Sequence, residues 1–284
     1  MPKTRKHLCL TILATVAGLA VCGLPSLVPF ERACILHTPG DSGGLARPPS
    51  FDFFLGTDSI GRSEALRLLF AIRTSLLLAA PATALACGAA LCLGLVASRT
   101  ALTGERHFVA RTADAAIDFL LDAALALPFV LVVACAAALS VEVTWSRLVG
   151  VLAFAATPSL AKVVRDRARS VAVAPFVEAA RAIGGGVAHV AREHVGPACV
   201  RELAALAPST FAQLLLMEAA LGFLGLGLAP PHATLGNLVA DGQDRLADAP
   251  WLLAFPTAAL VALVFATDRL TRADETGPCG GDDA

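Results

Sequence analysis

The sequence predicts an all-α integral membrane protein with six transmembrane helices. Composition, the length of the apolar runs and the placement of Lys and Arg each point there. Hydrophobic residues make up 56% of the 284 positions and charged residues only 16%, against roughly 25% charged in an ordinary soluble domain. The apolar residues gather into runs long enough for a hydrocarbon layer about 30 Å thick, which takes about 20 helical residues. Helices buried in a soluble protein would carry a polar stripe, and these runs do not. Finally, 15 of the 22 Lys and Arg fall on one side if the chain crosses six times from a cytoplasmic N-terminus, the asymmetry expected of inward-facing loops.

The first run, Leu8 to Phe30, follows Lys3, Arg5 and Lys6. A secretory signal has the same order, but its best cleavage position here, ending at Cys22, puts bulky Val21 where a small residue is needed. The run is therefore read as a retained span. Segment 31–74 follows outside the membrane and is too short for a substrate domain of ordinary size. The second span is Ser75 to Ser98 and the third is Phe119 to Ser140, with Asp122 as its one ionisable residue. Leu148 to Val164 and Trp251 to Thr267 are short, within reach of a tilted or thinned crossing. Between them, Leu203 to Leu228 carries Glu218. The expected organisation is a cytoplasmic N-terminus and first helix over 1–30, an extracytoplasmic segment over 31–74, and a transmembrane domain over 75–284. That domain holds five helices, a cytoplasmic loop over about 162–202 and a short C-terminal tail.

Within that loop, residues 175–197 read PFVEAARAIGGGVAHVAREHVGP. Pro175 suits the first turn of a helix, and Gly184 suits the left-handed residue just beyond a helix end. The helix so bounded, Pro175 to Ile183, is about 13 Å long at 1.5 Å per residue. Phe176, Ala179, Ala180 and Ile183 share one face of it; Glu178 and Arg181 lie off that face. So short a helix is unstable alone in water. Its apolar face is expected to pack on the chain's own helix ends or in a groove on a cytoplasmic partner.

Ionisable residues inside a span carry function by default. Glu218 and Asp122 are candidates for the translocation pathway or for holding helices in register. Asp114, Asp118 and Asp122 recur at spacings of four and give their helix a polar face. Gly222, Gly225 and Gly227 suit close helix approach in lipid.

Enzymatic signatures are absent. HVAREH at 189–194 has one residue more than HxxEH, which at α-helical spacing turns His189 and His194 off a common face. Neither HExxH nor GxSxG occurs, and no GxxxxGK[ST] cradle exists, since the only lysines are Lys3, Lys6 and Lys162. The eight cysteines show no CxxC spacing, and five lie in predicted spans. No catalytic residue, metal, cofactor or nucleic-acid partner is expected. Two other classes of function stay open at this point: an intramembrane enzyme using Glu218 or Asp122 with a histidine, and a membrane scaffold.

Glu178, Ala179, Ala180 and Gly184, followed after nine residues by HVGP at 194–197, resemble the EAA loop of inner-membrane permeases of ATP-binding cassette importers. Val195, Gly196 and Pro197 stand where Ile-Leu-Pro is usual. LGTDSIGRS at 55–63 looks like the LGTDxxGRD stretch before the second span of the dipeptide, oligopeptide and nickel permeases, with Ser63 in place of Asp. Asp122 stands six residues before Pro128, as in that family. MEAALGFLGLGLAPPHATLGNLVADG at 217–242, then APW at 249–251 and Phe255-Pro256, is similar to its most specific motif, with Leu235 replacing Trp. The resemblance, closest to the second permease subunit, covers Leu55 to Asp268. It implies a type I importer permease in the bacterial inner membrane that shares a pathway with a second homologous permease. Two cytoplasmic ATP-binding subunits and an extracytoplasmic solute-binding protein would complete the assembly, and the solute would be a peptide, nickel or a related compound. It also implies that Phe176, Glu178, Ala179, Ala180, Ile183 and Gly184 couple the membrane helices to ATP hydrolysis.

Overall fold

Helix α1, Glu64–Ala97, is the spine of the bundle. It begins at Glu64 rather than at Ser75, because its first three turns pack on protein beyond the apolar run, burying Phe70, Ala71 and Ile72. The computed structural model describes residues 46–98 (52 and 59 apart), 108–126 and 143–275 (230 and 231 apart). Helix α2 is Phe108–Ala126, α3 Trp145–Ala172 and α4 Pro175–Ala182. The one-turn α5, Val187–Val190, passes through a π-helical turn, Ala191–Val195, into α6, Gly196–Phe223. Helix α7 is Leu235–Gln243 and α8 is Trp251–Glu275. Among the described residues there is no β-strand, only an isolated bridge between Thr57 and Ser63.

Four of these stretches are long and apolar enough to cross a membrane: α1, α3, residues 187–223 and Trp251–Arg269 of α8. They correspond to the predicted second, fourth, fifth and sixth spans. The first predicted span lies outside the described residues, and of the third only the beginning, within α2, is described. Helix α3 runs past the predicted end at Val164 to Ala172. Its backbone hydrogen bonds continue beyond the apolar part, so Arg165, Arg167 and Arg169 extend the same helix.

The α1–α3 contact has a sequence-level cause. Ala82, Ala86, Ala90 and Ala97 are fully buried, and with Gly94 they form a small-residue stripe at spacings of three and four. Without water exclusion to drive association in lipid, such stripes let backbones approach and gain van der Waals contact. A Cβ added to Gly94 would stand 2.5 Å from Val164 Cγ1 and 2.9 Å from the Ala161 carbonyl.

Among the described residues, three clusters share the core. Leu160, Val164, Val171, Val177, Val190, Val195 and Cys199 surround the root of α4. Leu78, Leu148, Leu152, Leu214 and Leu221 fill the middle. Phe70, Ile72, Leu215, Leu235, Leu238 and Leu263 seat α7 at the opposite pole. At that pole α6 closes at Gly225, whose φ of 75° is open to glycine at little cost. Gly222 crosses Gly236 so closely that a Cβ on it would lie 3.0 Å from the Gly236 Cα. The predicted role of Gly222 in close approach is met there.

Candidate functional site

Helix α4 starts at Pro175, with Glu178 in its first turn and Arg181 in its last, the polarity that suits the helix dipole. Its end is a Schellman closure. Gly184 N–H donates to the Arg181 carbonyl at 3.0 Å and Gly185 N–H to the Ala180 carbonyl at 2.9 Å. Gly184 has φ 96°, the left-handed conformation read from the sequence, and Ile183 is the C-cap rather than the last helical residue.

The two packing alternatives divide by residue. Val177 is fully buried, packed into the cluster with Val171, Val190, Val195 and Cys199. The predicted face is not covered: Phe176 is 56% exposed and Ile183 89%, Ala179 is exposed and Ala180 half-buried. Thus α4 is pinned to its own chain through Val177 while its other apolar face points away from the bundle. Glu178 is exposed as well. The Val177 anchor was missed because the helical repeat was drawn through Phe176. The available signal was that Val177 is the one large apolar residue between Val173 and Ile183 left off that face.

The histidine pair needs a correction. The extra residue in HVAREH does not separate the two rings, because the π-helical turn absorbs it. The His189 and His194 rings meet edge to face at 5.9 Å, and His194 meets Phe176 at 5.7 Å. Among the described residues no third ligating side chain joins them.

Asp122 pairs with Lys162, and Asp118 with Arg165. Arg169 reaches Asp118 at 3.5 Å and Asp114 at 3.7 Å. The Arg165 side chain is fully buried; its Nε donates to the Ala97 carbonyl at 3.1 Å and its Nη2 to the Asp114 carbonyl at 2.9 Å. The acidic face of α2 therefore meets a basic face of α3. That basic face was legible too, since Lys162, Arg165 and Arg169 recur at three and four.

Glu218 lies apart from these residues, toward the far end of α6. It is fully buried, near the hydroxyls of Ser75 and Thr234, and neither of its carboxyl oxygens has a hydrogen-bond partner among the described residues. Ser75 Oγ accepts from Leu235 N–H at 3.2 Å, and Thr234 Oγ1 caps α7 by accepting from Asn237 N–H at 3.3 Å. A hydroxyl that already accepts keeps its proton to give, so Glu218 stands where α1, α6 and the start of α7 meet. Leu235, in the place of the family's Trp, is fully buried there.

A second polar knot at that pole went unread. Asp58 Oδ1 accepts from the N–H groups of Ile60 and Arg62 at 3.0 and 2.8 Å. Its Oδ2 takes Arg62 Nε at 2.6 Å and Arg67 Nη1 at 3.2 Å. Arg67 Nη2 then reaches Asp241 on α7 at 2.6 Å, and Nη1 stands 3.5 Å from Glu64. The LGTD stretch is thereby clamped to α1 and α7. Ser63 makes no capping bond with its side chain.

Helices with small-residue contacts, a buried polar knot at one pole and an uncovered apolar helix at the other make up the described part of a membrane-spanning bundle. Residues 90–275 match the family model described as the binding-protein-dependent transport system inner membrane component. The chain belongs to this family, the inner-membrane permeases of ATP-binding cassette importers, and is a multi-pass membrane protein. Among its relatives, one from Brucella suis biovar 1, whose name reads "Putative peptide permease protein", is 32% identical over 257 residues, 90% of this chain and 80% of that one. The oligopeptide transport system permease protein OppC of Mycobacterium bovis is 27% identical over 242 residues, 85% of this chain and 78% of that one. A crystal structure of an amino acid ABC transporter with histidines shares the fold, with a TM-score of 0.55 at 15% identity, over 74% of this chain and 94% of that one.

Proposed function

We propose that this permease carries a peptide across the inner membrane and draws its energy from ATP hydrolysed in separate cytoplasmic subunits that grip α4. The supporting observation is the division of α4: Val177 is buried in the bundle while Phe176 and Ile183 stand 56% and 89% exposed. A helix so anchored transmits force between whatever covers its free face and the helices behind it. Continuity favours the same reading, since the chain passes from α4 through α5 and the π-helical turn directly into α6. The 284-residue sequence has no phosphate cradle, which supports placing the motor in a partner.

In this reading the N-terminus and the 162–202 loop are cytoplasmic, and segments 31–74 and 228–250 face the binding protein that delivers solute. A second, homologous permease completes the pathway, with two ATP-binding subunits below. The names of the relatives favour peptides over nickel as the solute. Glu218 and Asp122 serve here as register residues, because each is engaged between helices.

Gly184→Pro forces a φ near −65° on a residue that sits at 96°. Glu178→Lys reverses the charge in the first turn of α4. Both variants are expected to insert normally and to abolish ATP-driven peptide uptake by the assembled importer. Normal uptake by both would count against the coupling role.

A further inference from the structure

The outer surface of α6 carries a polar group where the bilayer offers it no partner. Gln213 lies ten residues before the end of α6 at Phe223, about 15 Å along the helix at 1.5 Å per residue. That is near the middle of a hydrocarbon layer about 30 Å thick. Its side chain is exposed, and its carboxamide makes no hydrogen bond to any described residue. Gln213 borders a concavity of about 250 Å³ between α6 and α8, with Ser209 beside it one turn below, Leu216, Val264 and Phe265 as walls, and Asp268 at one end. Lipid leaves such a carboxamide without partners, so polar groups at membrane depth face protein or a water-filled cavity.

We infer that Gln213 lines the passage and hydrogen-bonds the main chain of the peptide in transit. This deepens the function proposed above and rests on it. A carboxamide offers two donors and an acceptor, which matches a peptide N–H and C=O without regard to side-chain identity. The apolar walls of Leu216, Val264 and Phe265 suit apolar peptide side chains. Bulky Leu216 and Phe265 stand where close backbone packing by another helix would want small residues, which favours a mobile solute over a fixed helix as the occupant. The position is also in line with the motor: α6 continues from the π-helical turn that packs against α4, so a movement of α4 displaces this wall of the groove.

The test uses the complete importer in liposomes, with short alanine peptides as solute, and Gln213→Cys in one permease. The parent chain provides the blank for native cysteines, and Leu93→Cys, on the exposed flank of α1, provides a lipid-facing control. A charged, water-soluble thiol reagent is expected to modify the Gln213→Cys variant but not the Leu93→Cys variant, at a rate that depends on nucleotide and falls at least several-fold with saturating peptide. Gln213→Leu is expected to raise the KM for uptake several-fold, with Gln213→Asn in between. Should Gln213→Cys fail to assemble, Ser209→Cys reports on the same groove. Resistance of the thiol introduced at position 213 to the charged reagent overturns the inference, whether that thiol reacts with a lipid-soluble maleimide instead or crosslinks only to the second permease. Parent uptake with an unreactive thiol at that position sinks this inference alone, whereas no peptide uptake by the parent sinks the proposed function with it.

Discussion

Glu218, buried where α1, α6 and the start of α7 meet, is the residue proposed above to hold these three elements in register. The oxygens of Ser75 and Thr234 already accept from Leu235 and Asn237, so both hydroxyls keep a proton to offer the nearby Glu218 carboxyl, whose two oxygens have no hydrogen-bond partner among the described residues. Glu218→Leu strands those buried donors, at a cost of about 1–3 kcal/mol, and is expected to lower the thermal midpoint of the purified permease. Glu218→Gln keeps an acceptor in place and should fall between the two. Equal midpoints for the Glu218→Leu variant and the parent would remove the register role. At this scale, what the sequence disclosed was local backbone chemistry. Pro175 and Gly184 bound α4 because ring constraint and a missing Cβ act on the residue itself. The Asp58–Arg67–Asp241 knot and the Ser75–Thr234–Glu218 meeting were hidden, since each depends on residues brought from distant parts of the chain, whereas Val177 left a local signal. Thr234 lies far from Ser75 along the chain and meets it only once α7 folds back.

Among elements, the α1–α3 seam and the α2–α3 ladder are fixed by opposite means. The seam depends on absent atoms. Gly94→Val places bulk 2.5 Å from Val164 Cγ1 and, as an overpacked core site, is expected to cost about 1–3 kcal/mol. Val164→Ala in the same chain should recover part of the loss, and no recovery in the double variant would show that the clash lies elsewhere. The ladder depends on charge: Asp122→Lys sets two cations opposite each other, and combining it with Lys162→Asp restores an opposite pair. Limited proteolysis should cut the single variant faster than the parent and the double variant nearly as slowly as the parent. Helix positions were legible from apolar runs, but their ends were not. Hydropathy marks where lipid begins, while α1 and α3 continue past that limit on backbone hydrogen bonds and protein contacts. The π-helical turn was invisible for a related reason. An α-helical repeat turned His189 and His194 apart, whereas the wider turn over Ala191–Val195 brings the rings to 5.9 Å.

Taken whole, the molecule has two polar or uncovered poles joined by apolar helices. At one, the Asp58–Arg67–Asp241 knot and Glu218 fasten α7 and the LGTD stretch to the spine. At the other, α4 is tied by Val177 and presents Phe176 and Ile183 outward. In the function proposed above, this uncovered end is where an ATP-binding subunit takes hold. The most direct test places a photo-crosslinking amino acid at Ile183 in the assembled importer within intact membranes. The account predicts an adduct with a cytoplasmic ATP-binding subunit, with a yield that changes between the nucleotide-free and ATP-bound states. An adduct with the extracytoplasmic binding protein, or none with any ATP-binding subunit in either state, would contradict it.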